Sequence, residues 1–249
     1  MKIVVAENYE DMSNKAAQII IDKVKHNPSS VLGLATGSTP KKTYQLLIED
    51  HNNNQATYQN IHTVNLDEYV GPNPDNPNSY HYFMNENLFK SIDIPKEQTH
   101  IPNGLASNLQ EECNRYESLI MQLGGIDLQL LGIGVNGHIG FNEPGTSFET
   151  GTHVIKLTNS TRKANARFFT DISEVPTHAI TMGIKSILKS KEILLLASGE
   201  KKANAIKQLV EGPIDEQFPA SILKKHPNVT VIADKAALSL LKNYLKDQI

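Results

Sequence analysis

An α/β fold, one open and mostly parallel sheet with helices on both faces, follows from three features of the sequence. Short apolar runs recur along the chain, helical stretches of ten or more residues separate them, and three of the runs end in polar, glycine-rich or acidic segments. Strands that alternate with helices in this way imply right-handed crossovers and parallel neighbours. Ligands in such sheets bind beyond the carboxyl ends of the strands. Residues 1–249 contain no internal repeat and no low-complexity linker, so a single modified Rossmann-like domain is expected.

Residues 2–6 form a short β-branched run, and residues 9–26 set Met12, Ala16, Ile19, Ile20 and Val24 at helical spacing. A second apolar strand, 31–36, ends in Gly37-Ser-Thr-Pro40 and opens a helix to about residue 49. Thr39 is expected as its N-cap, with Pro40 in the first turn, where a missing N–H is not needed. After a polar loop at 52–55, a third strand over 61–66 delivers Asp67 and Glu68 into loop. The stretch 71–78 is dense in Pro and Asn and must be loop, while 79–89 and 106–123 read as helices. Residues 126–131 make a central strand. Beyond it come strands at 153–158 and 177–182 with a helix at 160–169 between them, then strand 192–197, helix 200–210, strand 229–233 and a closing helix over 235–245.

Composition narrows the classes. A hydrophobic content of 39% describes an ordinary globular protein, and a net charge of -3 leaves no basic footprint for nucleic acid. The single cysteine, Cys113, excludes an internal disulfide. No apolar run reaches the roughly 18 residues that a membrane span needs, and no secretory leader is recognisable, so a cytoplasmic protein without membrane partners is expected. The sequons at Asn159 and Asn228 are then chance matches.

The central strand empties into a glycine-rich loop that presents an amide, an imidazole and a carboxylate: Asn136, His138 and Glu143. The spacing Gly132-x-Gly134-x-x-Gly137 matches a dinucleotide fingerprint. That motif, however, must open a helix and be followed by an acid for the ribose, whereas here Pro144-Gly145 closes a turn and residues 153–158 offer no carboxylate. No nucleotide cofactor is expected. His138 suits a proton shuttle whose tautomer Asn136 or Glu143 would fix, against the plainer reading of a core histidine bonded to backbone carbonyls. Asp67, beside apolar residues that would desolvate it, suits a general base, against the plainer reading of a turn cap. Gly37, Ser38 and Thr39 offer N–H groups, hydroxyls and a helix N-terminus to an anion, or simply cap a helix. Ser198-Gly-Glu-Lys-Lys-Ala203 repeats the arrangement with Lys201 or Lys202 in reach. Arg162 and Arg167 are anion clamps or surface charges. His138 has no second histidine at ligand spacing, so no metal is expected.

Three ordered motifs, Ala35-Thr-Gly-Ser-Thr-Pro40, Asn65-Leu-Asp-Glu-Tyr69 and the loop from Gly132 to Gly145, resemble the glucosamine-6-phosphate deaminases over nearly the whole chain. The related 6-phosphogluconolactonases share the glycine-rich loop and its histidine but follow it with a different segment, so Phe141-Asn-Glu-Pro144 favours the deaminases. The resemblance implies that glucosamine 6-phosphate and water give fructose 6-phosphate and ammonia with neither metal nor organic cofactor. It implies that Asp67 moves a proton between C2 and C1, that His138 assists opening of the pyranose ring, and that Glu143 orients and tunes the histidine. Gly37, Ser38 and Thr39 would cradle the phosphate with Lys202, and Arg167 would clamp it from a mobile lid within about 150–185. The alternatives are a lactonase-like hydrolase and a non-catalytic sugar-phosphate sensor.

Two positions depart from the family pattern. Asn136 stands where a triad often has Asp, so a more neutral His138 is expected, with Glu143 carrying the electrostatic role. The segment His153-Val-Ile-Lys156 replaces a more basic region, which implies weak or absent activation by N-acetylglucosamine 6-phosphate and a monomer or small homo-oligomer.

Overall fold

The computed structural model describes residues 1–53, 55–158, 162, 171 and 174–241. Ten strands and six α-helices are described: β1 (Lys2–Ala6), α1 (Tyr9–His26), β2 (Val31–Leu34), α2 (Lys41–Asn52), β3 (His62–Asn65), β4 (Asp67–Tyr69), α3 (Tyr80–Asn87), β5 (Thr99–His100), α4 (Leu109–Gln122), β6 (Leu128–Gly132), β7 (His153–Lys156), β8 (His178–Thr181), α5 (Ile184–Leu188), β9 (Ile193–Ala197), α6 (Ala203–Glu211) and β10 (Val229–Asp234). The main sheet runs β1-β10-β9-β6-β2-β3-β5 with every pairing parallel. The expected parallel sheet is therefore present.

Its inner strands are apolar on both sides because helices cover both. Leu32, Leu34, Leu128, Leu130, Leu194 and Leu196 face Met12, Ile20 and Val24 of α1, Tyr44 and Leu47 of α2 and Met84 of α3. Val31, Leu131, Ile193 and Leu195 face Tyr116 of α4, Ile187 of α5 and Ile206 and Leu209 of α6. Alternate residues of one strand thus feed two cores, and each buried aliphatic side chain contributes about 1.5–3 kcal/mol.

The topology departs from expectation where the chain leaves the main sheet. The strands expected at 153–158 and 177–182 are β7 and β8; they pair antiparallel, and β4 joins them in a separate small sheet of order β4-β8-β7. Asp67 consequently begins a strand instead of entering a loop. Three residues are too few to show a period, so β4 and the two-residue β5 leave no trace in the sequence pattern.

Helix ends also shift. Pro40, not Thr39, occupies the N-cap position of α2, and no side chain caps it. The Tyr9 hydroxyl serves instead, accepting from Lys42 N at 3.2 Å while donating to Ser38 O at 3.0 Å. A 3-10 turn, Glu200–Lys202, precedes α6, and residues 235–240 form turns where a closing helix is expected; its remainder lies outside the described residues. The helix expected at 160–169 also lies outside them, except for residue 162. No described helix is long and apolar enough to cross a membrane.

Candidate active site

The strand order sets where a ligand can enter. From β2 the chain steps outward to β3 and β5, and from β6 it steps the other way to β9 and β10. The loops leaving β2 and β6 diverge at this switch, the place where sheets of this class bind ligands. Those two loops carry Thr36 to Thr39 and Asn136 to Glu143.

The loop after β6 is folded back by its glycines. Gly137 has φ of +83°, and a Cβ there would lie 2.3 Å from the ring of Phe218, so only glycine fits. Ala220 N donates to Gly137 O at 2.9 Å and Gly134 N to His138 O at 2.8 Å. Asn142 locks the exit by donating to Ile139 O and Met182 O, both at 2.9 Å. Asn136, His138 and Glu143 are thereby brought together. Asn136 Nδ2 donates to Glu143 Oε2 at 2.7 Å, and Asn136 Oδ1 lies 2.7 Å from His138 Nδ1. An ionised carboxylate only accepts, so the amide nitrogen must face Glu143 and the amide oxygen must face the ring. Nδ1 therefore carries the proton and Nε2 is the basic nitrogen of the imidazole.

Asp67 stands against the same loop. It is opposite Thr181 in the β4–β8 register, and the Thr181 hydroxyl accepts from Phe141 N at 3.1 Å. A Cβ on Gly140, where φ is +57°, would lie 3.7 Å from Asp67 Oδ2 and 3.0 Å from Thr181 Oγ1, so glycine at this position keeps the space above the carboxyl open. Asp67 is 7% exposed, and burial, with a smaller push from the Glu68 carboxylate, raises its pKa to about 8. An aromatic wall completes this side. Tyr69 and Tyr80 have centroids 4.8 Å apart, and Tyr80 stacks on Phe141 at 6.3 Å. Burial, with Tyr69 and Asp67 nearby, holds the Tyr80 phenol well above its ordinary range. Tyr80 thus sets the start of α3 against the strand that carries Asp67.

The anion turn lies on the β2 side. Gly37 has φ of +98°, Ser38 is exposed, and the turn leads directly into α2. Lys202 approaches from β9, its Nζ donating to Ile133 O at 2.7 Å, one residue beyond β6. The second expected anion turn behaves differently: Ser198 Oγ and Gly199 N both donate to Asp234, so an internal carboxylate occupies it. Arg162 donates to Val175 O at 2.9 Å, while Arg167 lies outside the described residues. Among the described residues no group of three or more His, Cys, Asp or Glu side chains is disposed to hold a metal.

Several contributors escape sequence reasoning. Tyr80, Thr181, Phe218 and Glu68 reach the site through long-range packing. Asn65-Leu-Asp-Glu-Tyr69 pointed to Glu68 only as a neighbour of Asp67. No local pattern marks the others.

Comparison with known proteins finds relatives over nearly the whole chain. Residues 5–232 match the family described as glucosamine-6-phosphate isomerases/6-phosphogluconolactonase. A glucosamine-6-phosphate deaminase of Geobacillus sp. (strain WCH70) is 62% identical over 97% of this chain and 96% of its own length. Its counterpart in Halalkalibacterium halodurans is 61% identical over 96% and 97%. The solved structure of a monomeric glucosamine-6-phosphate deaminase, 55% identical, superposes with a TM-score of 0.94 over 96% of this chain and all of that one. A 6-phosphogluconolactonase from Trypanosoma cruzi, at 21% identity and a TM-score of 0.78 over 96% of each chain, shares the fold.

Proposed function

The chain belongs to the family of glucosamine-6-phosphate isomerases and 6-phosphogluconolactonases, and from that premise we propose that it converts glucosamine 6-phosphate and water into fructose 6-phosphate and ammonia. One observation carries the reading: a buried carboxyl with its pKa raised to about 8, Asp67, lies against the loop that orients His138.

His138 passes a proton between the C1 hydroxyl and the ring oxygen, which opens the pyranose to the aldehyde. Its fixed tautomer leaves Nε2 for that transfer. Ionised Asp67 takes the C2 proton, leaving an enolamine whose O1 is protonated as the nitrogen gives up a proton, and returns its own proton to C1. C2 is then an imine, water adds to it, and ammonia leaves. A base that must also give its proton back works best with a pKa near the working pH, which burial provides. Gly37, Ser38 and Thr39 hold the phosphate at the start of α2 with Lys202, and Arg167 closes on it from a lid within 150–185. We place the enzyme in the cytoplasm as a monomer, with weak or absent response to N-acetylglucosamine 6-phosphate.

Purified protein given glucosamine 6-phosphate is expected to release ammonia and fructose 6-phosphate in equal amounts. Hydrolysis of 6-phosphogluconolactone in its place would make it a lactonase, and binding without turnover would make it a sensor.

A further inference from the structure

We propose that Glu68 is a positioning residue for the proton transfer, pinning the start of α3 to β4 so that Tyr80 and the Asp67 carboxyl keep one fixed relation. The proposal rests on the reading of Asp67 as the base.

Glu68 is 2% exposed, yet both of its oxygens are doubly used. Oε1 accepts from Tyr69 N at 2.7 Å and Tyr80 N at 2.9 Å; Oε2 accepts from His81 N at 3.0 Å and His81 Nδ1 at 2.8 Å. Burying a carboxylate is costly unless donors replace its water. Here four donors do so, and three of them belong to the first residues of α3, where the helix dipole also favours a negative charge. Ser79 independently caps the same helix by accepting from Tyr82 N at 3.0 Å, so the turn does not need Glu68 as its cap.

What Glu68 adds is a tie between two elements. The first residue it holds, Tyr80, is the one whose ring packs on Tyr69 at 4.8 Å and stacks on Phe141 in the wall beside Asp67. Displacing the start of α3 would move that phenol and open the aromatic wall to water. The titratable groups around Asp67 are Glu68 and Tyr69 on its own strand, Tyr80 from α3 and Tyr116 from α4. Those around Glu68 are Asp67, Tyr80 and His81, with the His81 ring donating to it. Glu68 therefore supplies both a mechanical anchor and a negative charge next to the base, without contacting the sugar.

The test compares Glu68→Gln, Glu68→Asp and Asp67→Asn by the pH profile of kcat/KM, by kcat against KM, and by Tm. Glu68→Gln puts an amide donor among N–H groups and removes the charge. A fall in kcat of about 10- to 100-fold is expected, as for a displacement of about 1 Å at a reacting centre, with KM within about twofold and the acid limb moved to lower pH. Glu68→Asp keeps the charge but not the reach, so its kcat falls while the limb stays in place. A lowered Tm with wild-type kcat and an unmoved limb in Glu68→Gln would make Glu68 a mere helix anchor and overturn the proposal. Should that variant not fold, Glu68→Asp at wild-type kcat overturns it as well. Ammonia release surviving in Asp67→Asn sinks the base assignment itself; its loss there, with both Glu68 variants unimpaired, sinks only this inference.

Discussion

Glu143 does not bond directly to His138: its Oε2 stands 3.6 Å from His138 Nδ1, and the Asn136 carboxamide bridges them with 2.7 Å contacts on either side. The carboxylate polarises the amide and the amide orients the ring, so Glu143 acts on the imidazole through a neutral relay. Asn136→Asp would place two carboxylates in contact, forcing them to share a proton and exposing the ring to a nearer negative charge. The pH profile of ammonia release is expected to change in this variant. An unchanged profile would count against the relay.

As the proposed base, Asp67 must lose its proton before it can take one from C2. With its pKa raised to about 8 by burial and by Glu68, kcat/KM should climb with pH and level off above that value. Asp67→Asn should lower ammonia release by about 10²–10⁴-fold on the alkaline plateau, and by less towards acid pH, while phosphate binding persists. A residual rate that still rises with pH through the same limb would assign the limb to another group.

The same group makes stability depend on pH. Its pKa is about 8 in the folded chain and roughly 4 in the unfolded one, so between these values the folded state binds the proton more tightly. Stability is therefore lost as pH rises through that window. Asn does not titrate, so Asp67→Asn should be equal to wild type in Tm near the acid end and higher by several degrees at the alkaline end. A Tm difference that stays constant with pH would refute the linkage.

Lys202 ties β9 to the end of β6 through Ile133 O. Removing its charge with Lys202→Met should raise KM for glucosamine 6-phosphate by about tenfold or more, the worth of one charge-assisted contact, with little change in kcat. Arg167→Gln should act in the same direction. Turnover of unphosphorylated glucosamine should be indifferent to both substitutions; equal losses on both substrates would assign these cations a structural role.

Phe218, 2% exposed, packs on Gly137 between Asn136 and His138. The turn that carries it also accepts Gly145 N at Glu216 O and Phe148 N at Glu216 Oε1, each at 2.9 Å. Phe218→Ala should cost about 3–5 kcal/mol of stability from the cavity alone. Because the loop loses its support, kcat should fall as well, read at a temperature where the variant remains folded. Full activity there would show that the glycine loop holds its shape without the ring.

Much of this protein was legible from its amino acids. The apolar runs that became β2, β6, β9 and β10, the stripe of α1, and the loop joining Asn136, His138 and Glu143 all carry their signals within a dozen residues, where strand period, helix period and glycine placement act. Asp67 was marked too, since an acid at the end of an apolar run predicts its own desolvation. Tertiary structure decided the rest. Asp67 entered a second sheet because β8, more than a hundred residues later, pairs with it. Gly199 gave its N–H to Asp234 instead of an outside anion, and Glu68 became the anchor of α3. The expected closing helix gave turns over 235–240. Each outcome depends on which distant groups the crossovers bring within about 3 Å, and hydrogen bonds of that reach leave no periodic mark in a linear chain.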